Sequence, residues 1–340
     1  MTDLVVDATA AAEPDARQRR RWVLPLRIAI SLGLLGLLVW KIPDFDVAEL
    51  VPTWSAATVA WLAVLLGTMA LAVVASALRW QQMLAALGHH VGFGRLVTTT
   101  WAGQFVSNVL PTTIGGDVLR IARVARDTGD APDTFASVAL ERLTGWLVLP
   151  LISLTGLAVD PALRQLDEAT RVAVIVAFVT LGGLVAILVA AYHPRLGGRW
   201  ATSEGWQRFI GAVHLGIGRL RHRPRRAAGV LAAGVVYQLL LCVAAWAAAQ
   251  FLGIDQVGLV VMVAFYPAVL VAQVLPLGIA GLGVREGAFV LFLTPLGVPA
   301  EQAVALGLVL YLANLVVSLG GAPVVAFGRD DTGRRTVEAS

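Results

Sequence analysis

The sequence has little charge, one cysteine and one lysine. Only 14% of its 340 residues are charged, whereas soluble globular proteins usually have about 25%. Cys242 is the only cysteine and lies inside an apolar run, so no intrachain disulfide can form. Lys41 is the only lysine and stands outside any glycine-rich phosphate-binding loop, which argues against a Walker-type ATPase. These absences argue against a Walker-type ATPase and against a domain stabilised by disulfides.

Long apolar runs are what the sequence does have. Hydrophobic residues make up 58% of the chain, and runs of ~20 residues are long enough to cross ~30 Å of hydrocarbon. The runs are continuously apolar rather than alternating, which favours helices over barrel strands. We therefore predict an all-α polytopic membrane protein with about six full spans. The predicted spans are residues 24–40, 57–78, 134–158, 172–192, 228–252 and 301–327.

One motif occurs twice. VLPTTIGGDVLR (Val109–Arg120) and VLPLGIAGLGVR (Val274–Arg285) match at a constant offset of 165 residues, each at the end of a further apolar stretch. Proline removes a backbone donor and glycine permits a sharp turn, so each motif is expected to break a helix. The match continues weakly beyond the motifs, where SVALERL (Ser137–Leu143) resembles AVALGLVL (Ala303–Leu310). The predicted helix-break residues are Pro111, Gly115, Gly116, Asp117, Pro276, Gly281 and Gly283.

Arginine placement indicates that both motif stretches turn back within the membrane. In that arrangement the positive-inside rule is obeyed, with both termini and nearly all arginines on the cytoplasmic side. The loop after the second span then holds Arg79 and Arg95. Three spans separate the motifs, so the two re-entrant hairpins enter from opposite faces as an inverted repeat, an arrangement typical of transporters. The predicted organisation is a tail at 1–22, a transmembrane domain at 23–327 (halves 24–192 and 228–327, joined by a basic cytoplasmic loop at 193–227), and a tail at 328–340.

Charged residues near the helix breaks form the candidate site. Arg142 lies ~12 Å along its helix from Thr134, too deep for a free surface charge, so it requires a partner. Neighbouring helical residues diverge by ~100°, so we predict Asp117 as the partner of Arg142 and a hairpin arginine as that of Glu141. A purely structural ion pair stays open as an alternative. The predicted substrate-binding residues are Asn108, Arg120, Glu141, Arg142, Gln273, Arg285 and Glu286.

Four segments carry a resemblance to a known family: LRWQQMLAALG (Leu78–Gly88), SNVLPTTIGGDVLR, VALERL and GLGVREGA (Gly281–Ala288). In their order and spacing the chain resembles the lysylphosphatidylglycerol synthase transmembrane, or flippase-like, family. The resemblance implies a bacterial or archaeal protein of the cytoplasmic membrane that moves or presents a lipid with a polar head. Full-length synthases carry a soluble aminoacyl-transferase domain. Only residues 328–340 follow the last predicted span, so we do not expect that activity here.

The leading hypothesis is a lipid translocator for an anionic or phosphate-bearing lipid. The alternatives are a membrane-embedded lipid-linked transferase and an accessory scaffold for a lipid- or glycan-modifying enzyme. The sequence has no HExxH, GxSxG or aspartate-rich motif, so we predict no catalytic residue, metal site or cofactor. The expected partner is membrane lipid, with a membrane enzyme as a second candidate. The net charge of +4 fits cytoplasmic arginines better than nucleic-acid binding.

Overall fold

The structure, a computed structural model, describes residues 54–109, 115–192, 223–274 and 281–327, together with a few single positions near 33–40 and 211–218. Ten α-helices and no strand occur among the residues in these four ranges. The helices are α1 (Ala56–Leu87), α2 (Phe93–Val109), α3 (Gly115–Thr128), α4 (Ala131–Val159), α5 (Asp167–Tyr192), α6 (Pro224–Phe251), α7 (Leu259–Ala272), α8 (Val284–Leu293), α9 (Ala300–Ser318) and α10 (Ala322–Phe327).

Among the described residues, five helical segments are long and apolar enough to cross a membrane. They are α1, α4, α5, α6 and the continuous stretch Ala300–Phe327, which contains α9 and α10. Five of the six predicted spans coincide with these segments. The remaining predicted span, 24–40, and both predicted tails lie outside the described ranges. The part of the chain that the structure describes therefore has the architecture of an all-helical, multi-pass membrane protein.

Helix α1 is longer than the sequence predicts. The Ser55 hydroxyl accepts a hydrogen bond from the Thr58 amide at 3.1 Å and caps its start. Its end is Gly88, whose φ of 101° is the left-handed conformation that glycine readily adopts. No helix breaker intervenes, so the helix continues past the predicted boundary at 78. Arg79, which the sequence analysis assigned to a loop, instead lies within α1 and is buried.

Helix α1 packs along α6, and the two helices run antiparallel. Near one end the ring of Trp54 meets that of Phe251 at 6.3 Å, edge to face. Near the other end Arg223 donates a hydrogen bond to the Ala85 carbonyl at 2.9 Å. Small buried side chains permit this close packing. Those of α6 are Ala244, Ala245, Ala247, Ala248 and Ala249, all fully buried.

Helices α2 and α3 form an antiparallel pair on either side of the first motif. Arg95, near the start of α2, pairs with Asp127, near the end of α3, at 2.9 Å. Closer to the break the backbones touch: a β-carbon built on Gly116 would overlap the carbonyl oxygen of Gly103. The pair therefore begins and ends at the end of the bundle where α1 finishes. Pro111 lies outside the described residues.

Helices α7 and α8 form a second antiparallel pair around the second motif. The rings of Phe265 and Phe292 stack at 5.2 Å between centroids, and those of Tyr266 and Phe289 stack at 5.8 Å. This pair follows the end of α6, which lies beside the start of α1. The two pairs thus open towards opposite ends of α1. The predicted break residue Pro276 lies outside the described residues.

Candidate functional site

A cavity of about 260 Å³ lies between the two helix pairs. It far exceeds the ~10–15 Å³ that one water needs, and falls just below the ~300–1,000 Å³ typical of small-molecule pockets. Helices α1, α2, α6, α7, α8 and α9 all contribute to the wall. Its polar side chains include Ser76, Gln104, Tyr237, Gln273, Arg285 and Asn314.

Amide side chains connect the first pair to α9. Gln104 donates a hydrogen bond to Asn314 Oδ1 at 2.7 Å, and Asn314 in turn donates to Asn108 Oδ1 at 3.1 Å. Asn108 is therefore held against α9 and is not among the residues that line the cavity. The sequence predicts Asn108 as a site residue, but it did not identify Asn314 as its partner.

The second pair brings Arg285 and Gln273 directly to the cavity. Arg285 donates two hydrogen bonds to Glu286 Oε1, from Nη2 at 2.6 Å and from Nε at 3.1 Å. The other oxygen of Glu286 accepts a hydrogen bond from the Gly283 amide at 2.6 Å, so Glu286 also caps the start of α8. Glu286 is fully buried and is absent from the cavity wall. Its observed contacts are thus with Arg285 and the helix start.

A buried group of charges lies beside the first pair, centred on Glu141 of α4. The Glu141 side chain is 2% exposed. One oxygen accepts a hydrogen bond from Arg79 of α1 at 2.9 Å, and the other accepts one from Arg120 of α3 at 2.5 Å. A single carboxylate therefore joins three helices. The predicted hairpin arginine for Glu141 is present, and Arg79 is an additional partner.

Asp117 and Arg142 complete this group. Arg142 donates a hydrogen bond from Nε to Asp117 Oδ2 at 2.6 Å, as the sequence predicts, and Asp117 also lies 3.5 Å from Arg120. However, the Arg142 side chain is 53% exposed, not enclosed as expected. The reason is geometric: Glu141 occupies the inward face of α4, and the next residue points ~100° away from it. We call Arg79, Asp117, Arg120, Glu141 and Arg142 the Glu141 cluster.

Two residues connect the Glu141 cluster with the cavity. Ser76 lines the cavity and donates a hydrogen bond to Glu141 Oε1 at 3.2 Å. Tyr237 also lines the cavity, and its ring lies 4.8 Å below the Arg79 guanidinium. A continuous series of polar groups therefore runs from the exposed Arg142 through the cluster to the central cavity.

Sequence reasoning missed Arg79, Ser76, Tyr237 and Asn314. A signal for Arg79 was available: the segment LRWQQMLAALG has no helix breaker before Gly88, which indicates that the helix continues through this arginine. A buried arginine needs a carboxylate partner, and Glu141 is the evident one. The other three are ordinary polar residues on apolar helices. Only their tertiary positions distinguish them.

One group of potential metal ligands occurs among the described residues. His89, Asp130 and Asp133 each place one ligand atom within 4.8 Å of the other two. His89 hydrogen-bonds to Asp133 at 3.0 Å, and Asp130 accepts a hydrogen bond from the Asp133 amide as the cap of α4. These contacts account for the grouping as a connection between the end of α1 and the start of α4. The site lies apart from the cavity wall.

The chain matches the model of a known protein family. The model of the family described as "Lysylphosphatidylglycerol synthase TM region" matches residues 25–321. The match includes both helix pairs, the Glu141 cluster and every residue that lines the cavity. No curated protein matches the chain.

Proposed function

Because the chain belongs to the lysylphosphatidylglycerol synthase transmembrane family, we propose that it is a lipid translocator for a polar-headed, anionic lipid. The observation that carries the proposal is the polar cavity between the two helix pairs, in a bundle whose outer surface is largely apolar. Polar groups inside a membrane protein are costly and commonly mark a substrate path. The headgroup would occupy the cavity while the acyl chains stay in the bilayer.

In this proposal the two helix pairs are re-entrant hairpins of an inverted repeat. Helix α2 has 17 residues and α7 has 14, so at 1.5 Å per residue they reach only ~25 Å and ~21 Å, short of the ~30 Å hydrocarbon core. Each is followed by an antiparallel helix that returns to the same end of the bundle. Both termini would lie in the cytoplasm of a bacterial or archaeal cell, with hairpins opening to opposite faces.

Matched positions of the two motifs differ in their access to the cavity. The 165-residue offset pairs Asn108 with Gln273 and Arg120 with Arg285. Gln273 and Arg285 line the cavity, whereas Asn108 is bound to Asn314 and Arg120 to Glu141. This difference supports a headgroup path whose second-copy residues are accessible in the described conformation. Guanidinium groups suit the path because they bind phosphate oxygens bidentately.

A lipid-flip assay tests the proposal. Purified protein in proteoliposomes should move fluorescent phosphatidylglycerol between leaflets faster than protein-free vesicles do. Asn314→Ala, in the cavity wall, should lower the rate by about fivefold, the cost of one lost hydrogen bond of ~1 kcal/mol. The matched control is Leu312→Ala on the same helix, because Leu312 faces outward and is 56% exposed. Folded protein without flip activity would contradict translocation and favour the transferase or scaffold alternatives.

A further inference from the structure

We infer that the Glu141 cluster is an anion-binding site in which one phosphate group of the ligand replaces Glu141 on Arg120. This inference rests on the proposed function and adds a second site on the headgroup path, next to the cavity. It also gives Arg79 a role that neither the repeat nor the motif indicates. The ligand class is a phosphodiester or phosphate monoester anion.

The charge balance of the cluster is the first observation. Three guanidinium groups, those of Arg79, Arg120 and Arg142, face the two carboxylates of Asp117 and Glu141. The cluster therefore carries a surplus of one positive charge. Arg142 is half exposed, but Arg79 and Arg120 have only 8% and 11% of their side chains exposed. An uncompensated positive charge at such low exposure attracts an anion more strongly than it would in water.

Unpaired donors are the second, independent observation. Arg79 Nε, Arg79 Nη1 and Arg120 Nε are buried and have no hydrogen-bond partner. Buried arginine donors are normally satisfied, and each one left unpaired destabilises the protein. The Arg79 side chain is more than nine-tenths buried, between Glu141 and the Tyr237 ring. The Arg120 Nε is the unpaired donor at the position where the phosphate binds, and a phosphate oxygen can accept its hydrogen bond when the ligand enters the cluster.

Arg79 makes the exchange at Arg120 favourable. If Arg120 were the only partner of Glu141, the transfer of Arg120 to a ligand would leave the buried Glu141 carboxylate unpaired, which is strongly destabilising. Because Arg79 and Ser76 also donate to Glu141 Oε1, Glu141 keeps partners when Arg120 turns to the ligand. Arg79 is therefore a positioning residue: it neutralises Glu141 so that Arg120 can bind the anion.

Binding assays on charge-matched variants test this inference. The probes are short-chain phosphatidylglycerol, short-chain phosphatidylcholine and inorganic phosphate, titrated calorimetrically into the detergent-solubilised protein. Arg79→Gln removes the surplus charge and should weaken phosphatidylglycerol binding by at least about tenfold. The double variant Arg79→Gln/Glu141→Gln restores the surplus and should bind within about threefold of the parent. If Arg79 served only in folding, the double variant should bind more weakly than the single variant, because it loses further contacts.

The ligand source and the folding of the variants are controlled separately. If phosphatidylglycerol binds more tightly than inorganic phosphate, the ligand is a lipid headgroup; if the two bind equally, the ligand is free phosphate. Either result supports the anion site, provided that the affinities of the variants follow the charge of the cluster. If Arg79→Gln does not fold, Asp117→Asn takes its place in the test. This variant raises the surplus positive charge of the cluster and should therefore bind phosphatidylglycerol more tightly. Unchanged or weaker binding would overturn the inference. Folded variants whose affinities ignore cluster charge also overturn it. If the protein moves lipid but its binding does not depend on cluster charge, only the proposed anion site is refuted. If binding depends on cluster charge but the protein does not move lipid, only the translocator function is refuted.

Discussion

Glu286 fills the space beside Gly307. A β-carbon built on Gly307 would lie 2.9 Å from both Cγ and Oε1 of Glu286. When SVALERL (Ser137–Leu143) is aligned with AVALGLVL (Ala303–Leu310), Gly307 stands opposite Glu141. In the first half the carboxylate that pairs with the motif arginine, Arg120, thus comes from the following helix. In the second half the carboxylate that pairs with Arg285 comes from the next residue in the sequence. Both halves hold the arginine with a buried carboxylate, supplied from different positions.

We therefore expect Gly307→Ala to lower the thermal stability of the protein. The Glu286 side chain cannot move aside easily, because it is fully buried and hydrogen-bonded to Arg285 and Gly283. Overpacking of this kind typically costs about 1–3 kcal/mol. The matched control is Gly287→Ala in α8, where an added β-carbon meets nothing within 4 Å. Melting in detergent measures both; equal midpoints would show that Glu286 yields the space at no cost.

Replacing Glu141 should harm folding more than replacing Arg142. Glu141→Gln leaves Arg79 without a charged partner at a buried position and leaves Arg120 with only the more distant Asp117, and breaking a buried pair costs about 3–5 kcal/mol. Arg142→Gln removes a half-exposed pair with Asp117, worth about 0–1 kcal/mol. We expect less monodisperse Glu141→Gln protein on size exclusion, and nearly normal amounts of Arg142→Gln. Both variants should transport lipid more slowly. A lower yield of folded protein for Arg142→Gln than for Glu141→Gln would show that Arg142 contributes more to stability than Glu141 does.

Lysine should not replace either motif arginine. Arg285 donates two hydrogen bonds to Glu286, and Arg120 lies over the Trp80 ring at 4.2 Å while it donates to Glu141. A lysine ammonium lacks the planar fork that makes such contacts together. Arg120→Lys and Arg285→Lys should slow the flip of anionic lipid by about tenfold and leave the fold intact.

Lipid charge is the control for these two variants. Flip rates are compared for phosphatidylglycerol and for an uncharged lipid in the same vesicles. A loss confined to the anionic lipid supports phosphate contacts by Arg120 and Arg285. An equal loss for both lipids, or none, makes these residues structural anchors only.

Cysteine labelling tests the opposite orientation of the two helix pairs. On a Cys242→Ala background, Ala131→Cys follows the first pair and Thr294→Cys follows the second; both positions are exposed. We expect an impermeant maleimide to label Ala131→Cys only from the cytoplasmic face and Thr294→Cys only from the other. Labelling of both from one face would rule out the inverted arrangement.

The sequence predicts the helices and the ion partners better than it predicts the cavity. Continuous apolar runs identify the five described spans because hydrocarbon permits little else, and a buried charge implies its counter-charge. Hence Asp117 was identified for Arg142 and a hairpin arginine for Glu141. The boundary of α1 was wrong because hydropathy falls at Arg79 although no helix breaker is present. The end of an apolar run indicates where contact with lipid ends, but it does not indicate where the helix ends.

The cavity wall could not be derived from local patterns. Tyr237 and Asn314 are single polar residues on apolar helices, and either could equally have faced another helix or a headgroup. Their common location depends on how α6 and α9 pack against the two helix pairs. Glu286 illustrates the converse: it follows a motif arginine and was expected at the substrate, yet its carboxylate is turned into the core to cap α8. Sequence adjacency does not fix the direction of a side chain at a helix start.

The glycine contact within the first helix pair has a mechanical consequence. A β-carbon on Gly103 would meet the Arg120 side chain at 2.9 Å and the Gly116 carbonyl oxygen at 3.0 Å, so no side chain separates α2 from α3 at this level. Because the two backbones are in direct contact, we expect these helices to move together as one body. The Arg120 side chain, packed on Gly103, is carried with that body, while Glu141 belongs to α4. Displacing this arginine far from its carboxylate therefore means tilting the whole helix pair, which couples one ion pair to the position of about thirty residues.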